Sequence, residues 1–563
     1  MSQNENQNGG LAQASTQKKI SFFSAILVVM GSSIGAGIFF KAKGVLTNSQ
    51  GSLVLAIFCW IIAAISVIAM ALALIEISSA RNDNLSLIGW TKVFNGRTTF
   101  KASKNFMFYI YLPLTYFFMP LYVILSLQDG LGALINTSGD ALTIGTSVDW
   151  LIWTIVSLAI SGYFIYVSGI SSRAGNIQNK IVTYIKFIPL AAVVILGITL
   201  VGMNASGVGD INAGTVPPTT GPSGNEITSS IESGAAFSDL APGVGMFLAI
   251  SGIFFAYDGF YVAAGIQSEM AQPKKTPMAI LFGLLITTVI YLFVAIAMSI
   301  NGGDIIGMQD FMIEAFKSKD TGRIIFGVLN LMIAIGVIGI INGFAMWAPR
   351  FTEDLIKEGE LPFSIKYKNK LNENKPIVGI MYSFAISIPV IIIFTIIGAL
   401  GYNDTVGYGG SDGLYYGAGM GKLYSFADLM GTWTALFAFG FIMFAIYGGL
   451  KNRKTQTINT DQKGYFKIAA IISIISVGLA LTITALAPFI DLFLLGWVNP
   501  ISVELVGGNY TDIVVGRVML IVTFFIFIGL SYGVTIIEDM VNIKKHGSIE
   551  KFEEWQKTNF VVS

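Results

Sequence analysis

The sequence is poor in the residues from which most enzyme sites are built. It has one cysteine, Cys59, which excludes an internal disulfide. It has one histidine, His546, too few for a histidine-based triad or metal site. Charge is scarce as well: Asp, Glu, Lys and Arg make up 12% of 563 residues, about half the share in an average soluble protein. The signs nearly cancel to a net charge of +1, and no nucleic-acid partner is expected. In place of charge there is apolar surface. Hydrophobic residues make up 54% of the chain, glycine is abundant at 62, and mean hydropathy is +0.70. That composition belongs to a protein in contact with membrane lipid.

A helix that crosses a bilayer needs about 20 mostly apolar residues. Such runs lie near 20–40, 52–75, 106–128, 150–171, 181–203 and 246–268. Six more lie near 278–301, 324–349, 377–400, 427–450, 467–488 and 515–537, which makes twelve expected spans. Basic residues fall on alternate loops: Arg81, Lys92, Arg97, Lys101 and Lys104, then Arg350, Lys366 and Lys368, then Lys451, Arg453 and Lys454. Segments 129–149 and 204–245 hold no Lys or Arg. The positive-inside rule then places both termini in the cytoplasm of a plasma-membrane protein. Residues 1–19, rich in Gln and Asn, read as a disordered tail, and 538–563 as a second cytoplasmic tail. Between them lie 20–203, an outside loop at 204–245, then 246–450, and a final helix pair in 451–537. Neither the tails nor the outside loop is large enough for a soluble enzyme domain.

Two spans carry features that a lipid-facing helix does not need. The first contains Gly31-Ser32-Ser33-Ile34-Gly35-Ala36-Gly37. Glycine there removes side-chain cover and lets the helix unwind, which membrane interiors tolerate only where protein or a wet cavity surrounds the backbone. The second half of such a helix presents free N–H groups and a positive dipole end, a ready receptor for a carboxylate. A small-residue packing seam explains the same residues. The sixth span contains Phe254-Phe255-Ala256-Tyr257-Asp258-Gly259-Phe260-Tyr261. A carboxylate midway along an uncharged span is expensive, so Asp258 is a functional candidate, with a structural, paired carboxylate as the alternative. The two interruptions occupy matching places in a five-helix periodicity, which points to a midplane site. Lys186, in the fifth span, either snorkels to the headgroups or is itself held between helices as a fixed or titrating cation. Asp258 and Lys186 read as the only titratable groups well inside the spans, with no nucleophile–base pair to make an enzyme.

Gly31-Ser-Ser-Ile-Gly35-Ala-Gly37-Ile-Phe resembles the opening motif of the amino acid–polyamine–organocation (APC) permeases. Phe255-Ala-Tyr-Asp-Gly-Phe260 with Glu269, Pro273 and Pro277 is similar to that family's sixth helix and following loop. Leu74-Ile-Glu76-Ile-Ser and Ala348-Pro-Arg350 through Glu360-Leu-Pro362 resemble its second helix and its loop after helix 8. The likeness covers roughly residues 20–450. It implies an all-α integral membrane protein of twelve helices, with two inverted five-helix repeats (LeuT-like) and two peripheral helices. By the same resemblance, backbone at Ser33, Ile34, Gly35, Ala36 and Gly37 holds a substrate carboxylate. Carbonyls near Ser32, Phe255, Ala256 and Asp258 hold the α-amino group, and Phe255 closes over the substrate. Lys186 matches a helix 5 lysine that stands where sodium-coupled relatives bind an ion. Helix 8 (324–349) has no Ser or Thr to ligate sodium.

Three positions depart from the common pattern. The spacing from Glu269 to Pro277 is one residue short. Tyr261 stands where many members carry an acid or amide, so the side-chain pocket is this chain's own. Asp258 stands where some cationic-substrate exchangers have Asp, and a carboxylate there favours arginine, lysine or ornithine. The resulting expectation is an amino acid permease with amino acid as partner, working by proton symport or by exchange, without a cofactor. A neutral amino acid or polyamine transporter of the same fold is the alternative. A channel or membrane receptor is the alternative of a different class.

Overall fold

The computed structural model describes residues 21–35, 37–81, 85–135, 141–203, 224–261, 271–372, 375–402, 408 and 414–560. It is all-helical across them. Among the described residues ten helices are long and apolar enough to cross a membrane. In chain order the helices needed below are α1 (Phe22–Ser33), α2 (Gly37–Asn48), α3 (Leu53–Ser78) and α4 (Leu87–Phe94). Then come α5 (Arg97–Ile135), α6 (Asp149–Ile170), α7 (Ser172–Gly202), α8 (Gly224–Glu232) and α9 (Pro242–Ala256). They continue with α10 (Thr276–Ser299), α11 (Ile305–Phe316), α12 (Lys319–Lys357) and α13 (Ile377–Gly401). The last are α14 (Met420–Thr455), α15 (Phe466–Trp497), α16 (Tyr510–His546) and α17 (Ile549–Asn559).

Local chemistry sets many of the starts. Ser21, Ser52, Ser318 and Ser548 each accept an amide hydrogen bond from the first turn of the helix they cap, and Asp304 does the same for Gly307. Burial sorts the helices into layers. The most apolar windows of α5 and α14 are 94% and 83% buried, whereas that of α16 is 17% buried. So α5 and α14 form the centre and α16 lies on the rim, with Phe525, Ile536 and Ile537 more than half exposed. An apolar rim of that kind is what lipid contact requires. Close approaches are made at glycines. A Cβ on Gly379 of α13 would lie 1.9 Å from the carbonyl oxygen of Pro349 in α12. Such small-residue contacts let membrane helices pack where no aqueous hydrophobic effect drives them together.

The expected spans 20–40 and 246–268 are each interrupted where the sequence pointed: α1 and α2 share the first, and α9 ends at Ala256 in a turn through Tyr261. The structure differs from the sequence expectation in two places. The tail expected at 538–563 is helical over most of its length, as the end of α16 and all of α17. Part of the segment 204–245 also folds, into α8 and the short turn Phe237–Leu240, because Arg517 donates to the carbonyls of Gly234 and Ala235. Residues 1–20 and 204–223 lie outside the described residues.

The basic loops gather on one face as ion pairs. Arg453 makes a two-pronged bond to Glu76, at 2.7 and 2.6 Å. Arg81 and Lys92 meet at Glu358, at 2.6 and 3.0 Å, and Lys101 bonds Glu360. Burial raises the Glu360 carboxyl, but the ammoniums of Lys101 and Lys104 outweigh it and hold the group at about 2. The carboxylate is therefore charged throughout the ordinary pH range.

A Gly379→Leu substitution drives a side chain into the α12 backbone. It is expected to destabilise the fold by about 1–3 kcal/mol or more, read as a lowered melting temperature of the purified protein, whereas Gly464→Leu, with open space around it, is expected to leave melting unchanged.

Candidate functional site

The first break is built from a short run of backbone. α1 ends at Ser33, and Ile34 turns to an extended conformation (φ −75°, ψ 105°) while its amide still closes on the Met30 carbonyl at 2.8 Å. Gly35 forms the bend and α2 starts at Gly37. Ala36 lies outside the described residues, and Ser32 is placed by its backbone. The second break follows Ala256. Tyr257 leaves the helix (φ −97°, ψ 0°), and Gly259 sits at φ +92°, a left-handed conformation that glycine adopts without strain.

The two breaks touch. A Cβ on Gly37 would lie 2.6 Å from the Cα of Ala256, so the first residue of α2 lies directly on the last residue of α9. The Tyr291 hydroxyl of α10 lies 2.8 Å from both the Ser33 and the Ala256 carbonyls, one from each break. Its single proton is shared between two oxygens that helix geometry leaves without partners. Tyr291 is itself wedged against Trp60 and Tyr257, with ring centroids 5.7 and 5.1 Å away. The Ser33 hydroxyl is buried without a partner among the described residues.

Lys186 belongs to this site and does not snorkel. Its Nζ donates to the Gly31 carbonyl at 2.7 Å and to the Ile34 carbonyl at 3.2 Å, so a cation caps the negative end of α1. Among the described residues no carboxylate pairs with it. Beside it is a cavity with room for about one water, lined by Ile34, Gly35, Phe39, Lys186 and, from α12, Met332, Ile333 and Gly336.

Asp258 is half-buried and faces the bundle. One oxygen accepts from the Tyr111 hydroxyl at 2.8 Å and the other from the Gly259 amide at 2.9 Å. Tyr261 donates to the Tyr111 hydroxyl at 2.9 Å, which makes a relay from Tyr261 through Tyr111 to the carboxylate. Tyr111 ends a π-helical stretch in α5 (Phe106–Tyr111), a local widening that re-aims side chains. Among the described residues no Lys or Arg pairs with Asp258. Phe255 packs edge-on against Phe118 at 5.7 Å and against Tyr122 at 5.9 Å.

Sequence reasoning missed an ion pair next to this site, and its reading of Asp258 and Lys186 as the only deep titratable groups is corrected here. Lys41, one turn into α2, is 4% exposed. Its Nζ meets Asp428 Oδ1 and the Thr432 hydroxyl, each at 2.7 Å, and lies 4.9 Å above the Phe255 ring. Tyr122 donates to the same Asp428 oxygen at 2.7 Å. The expected first span stopped at residue 40, one residue short of the lysine. A helix continuing through a charge at that depth was the available signal.

The structural class is therefore a helical membrane protein with two interrupted helices that meet at mid-bundle. The profile of the amino acid permease family matches residues 20–492. The chain belongs to that family, and with it to the secondary transporters of the APC superfamily; it is a multi-pass membrane protein. An uncharacterized protein of Mycoplasma pneumoniae is 48% identical over 559 residues, covering 97% of this chain and 98% of the relative. The serine/threonine exchanger SteT of Bacillus subtilis is 24% identical over 381 residues, 67% of this chain and 77% of the relative. Among solved structures, MhsT in complex with L-phenylalanine overlaps at a TM-score of 0.47 and 15% identity, covering 82% of this chain and 97% of that one. A manganese transporter of Eremococcus coleocola overlaps at 0.48 and 13%, covering 92% and 94%.

The Lys41–Asp428 pair gives a direct test of the site's electrostatics. Asp428→Asn leaves a buried ammonium facing only hydroxyl and carbonyl groups, and is expected to cost about 3–5 kcal/mol. The double variant Lys41→Met/Asp428→Asn is expected to be more stable than Asp428→Asn alone. Thermal unfolding of the wild type, Lys41→Met, Asp428→Asn and the double variant reads the difference, and additive losses would show that the two side chains do not interact.

Proposed function

We propose that this protein carries amino acids across the plasma membrane by alternating access, with twelve spans arranged as two inverted five-helix repeats and both termini in the cytoplasm. The observation that carries the reading is the meeting of two helix breaks, which the proposed repeats would put at matching positions of two halves. The first N–H groups of α2 have no partner inside their own helix and, with the dipole end, favour a carboxylate. Backbone from Ser33 to Gly37 would hold the substrate's carboxylate. Ser32, Phe255, Ala256 and Asp258 would supply the acceptors for its amino group, and Phe255 would cover it.

Asp258 supports a cationic substrate. The residue is half-buried, and its carboxylate has a tyrosine hydroxyl and one amide as partners. A guanidinium or ammonium near Tyr261 would complete its charge. Lys186 supports proton coupling. Its amine is held by carbonyl oxygens, so a proton can leave without stranding a carboxylate opposite it. The likeness to the serine/threonine exchanger SteT favours a second reading, exchange of small neutral amino acids such as serine and threonine.

Counterflow of labelled amino acids into proteoliposomes tests the transporter reading, since a channel shows no acceleration by unlabelled substrate inside. In the same assay Asp258→Asn is expected to lower the preference for arginine over leucine about tenfold, the loss of roughly 1.4 kcal/mol of differential binding. An unchanged ratio with serine as the preferred substrate would select the neutral reading. Lys186→Ala is expected to remove the dependence of uptake on pH while leaving exchange measurable; a retained pH profile would exclude Lys186 as the proton carrier.

A further inference from the structure

The C-terminal helices lie beyond the span that the family profile matches, which ends at residue 492, yet they are fastened to the basic face at four points. Arg97 bonds both of them, pairing with Asp539 of α16 at 2.6 and 2.7 Å and with Glu553 of α17 at 3.0 Å. Lys104, fully buried, donates to both Glu538 oxygens at 2.7 and 2.8 Å and to the Glu360 carbonyl at 3.1 Å. Gln556 of α17 donates to the Glu358 carbonyl at 2.8 Å and to a Glu360 side-chain oxygen at 3.0 Å. Lys368 donates to the Asn559 carbonyl at 2.7 Å, and its ammonium lies 5.1 Å above the Phe560 ring.

Three of the four, those of Lys104, Gln556 and Lys368, involve the loop that follows α12. Its Gly359 has φ +76°, and a Cβ there would lie 2.7 Å from the Phe560 ring, so the ring fills the space that glycine leaves. The residues on either side of Gly359 tie the two halves of the molecule together. Glu358 pairs with Arg81, just after α3, and with Lys92 of α4, while Glu360 pairs with Lys101. The loop belongs to the half that contains α9, and its partners belong to the half that contains α1. Any motion that parts the halves on this face has to break these pairs. α17 adds bonds to the same loop without spanning the membrane itself.

We propose that α17 is a latch: docked, it holds the Glu358-Gly359-Glu360 loop against α3, α4 and α5 and so keeps this face of the transport path closed, and its undocking permits opening. The proposal rests on the alternating-access reading. A ligand or event that favours the undocked helix would accelerate transport in proportion to the population it shifts.

The experiment compares the wild-type protein with Gln556→Ala/Phe560→Ala and with Lys368→Ala, which removes one half-buried attachment and spares the fully buried ones. Hydrogen exchange of residues 549–560 reads docking, and initial uptake of labelled amino acid in proteoliposomes reads transport. In both variants exchange of 549–560 is expected to rise, with Vmax increased about threefold or more in the double variant and KM changed by less than about twofold. Faster exchange with Vmax unchanged or lowered would make α17 a strut and overturn the proposal. Unchanged exchange in both variants would also overturn it, since these side chains would then not hold the helix. A wild-type protein that shows no uptake of any amino acid fails the transporter reading instead, and is distinguished by normal docking in the exchange data.

Discussion

The backbone polar groups of two broken helices have to be satisfied inside a bundle that offers little water. Unpaired N–H and C=O groups in an apolar interior each cost several kcal/mol on the order-of-magnitude scale. The bundle meets that demand with side chains brought from other helices. Tyr291 serves the Ser33 and Ala256 carbonyls from α10, and Lys186 serves the Gly31 and Ile34 carbonyls from α7. Both breaks leave carbonyls that need donors, while the start of α2 leaves amides that need an acceptor. That imbalance is what makes the site a receptor for a carboxylate on the proposed reading.

Charge is concentrated where helices have to be held apart or together. On one side of the breaks, Lys41 and Asp428 join α2 to α14 above Phe255. On the basic face, Glu358 and Glu360 gather Arg81, Lys92 and Lys101, with Lys104 at the Glu360 carbonyl. Both sets join segments far apart in sequence. Ion pairs suit that role because their formation is steeply dependent on geometry and on exclusion of water. A chain with 12% charged residues has placed many of them at these seams.

Much of the architecture was legible from hydropathy, because lipid contact forces long apolar helices whatever the packing. The glycines at 31, 35 and 37 located the first break for the same reason: absence of side chains is visible in sequence. What could not be read was partnership. Nothing near Lys186 in sequence says that its ammonium reaches α1, 152 to 155 residues away. The Lys41–Asp428 pair spans 387 residues, and Tyr291 has no local signature for its place between two breaks. The docked C-terminal helix was likewise hidden, since Arg97, Gln556 and Lys368 read as ordinary soluble-loop residues until the fold brings them together. Side chains that act across the bundle are determined by packing, and one sequence does not display packing.

The central claim is that backbone at the first break reads the carboxylate common to amino acids. It is tested most directly by thermal unfolding of the purified protein in the presence of each amino acid and of its carboxamide, beginning with arginine and argininamide. The account predicts that at least one amino acid raises the melting temperature with the logarithm of its concentration, while the matching amide, which keeps the amino group and side chain but lacks the anionic carboxylate, does not. Equal stabilisation by acid and amide would contradict it.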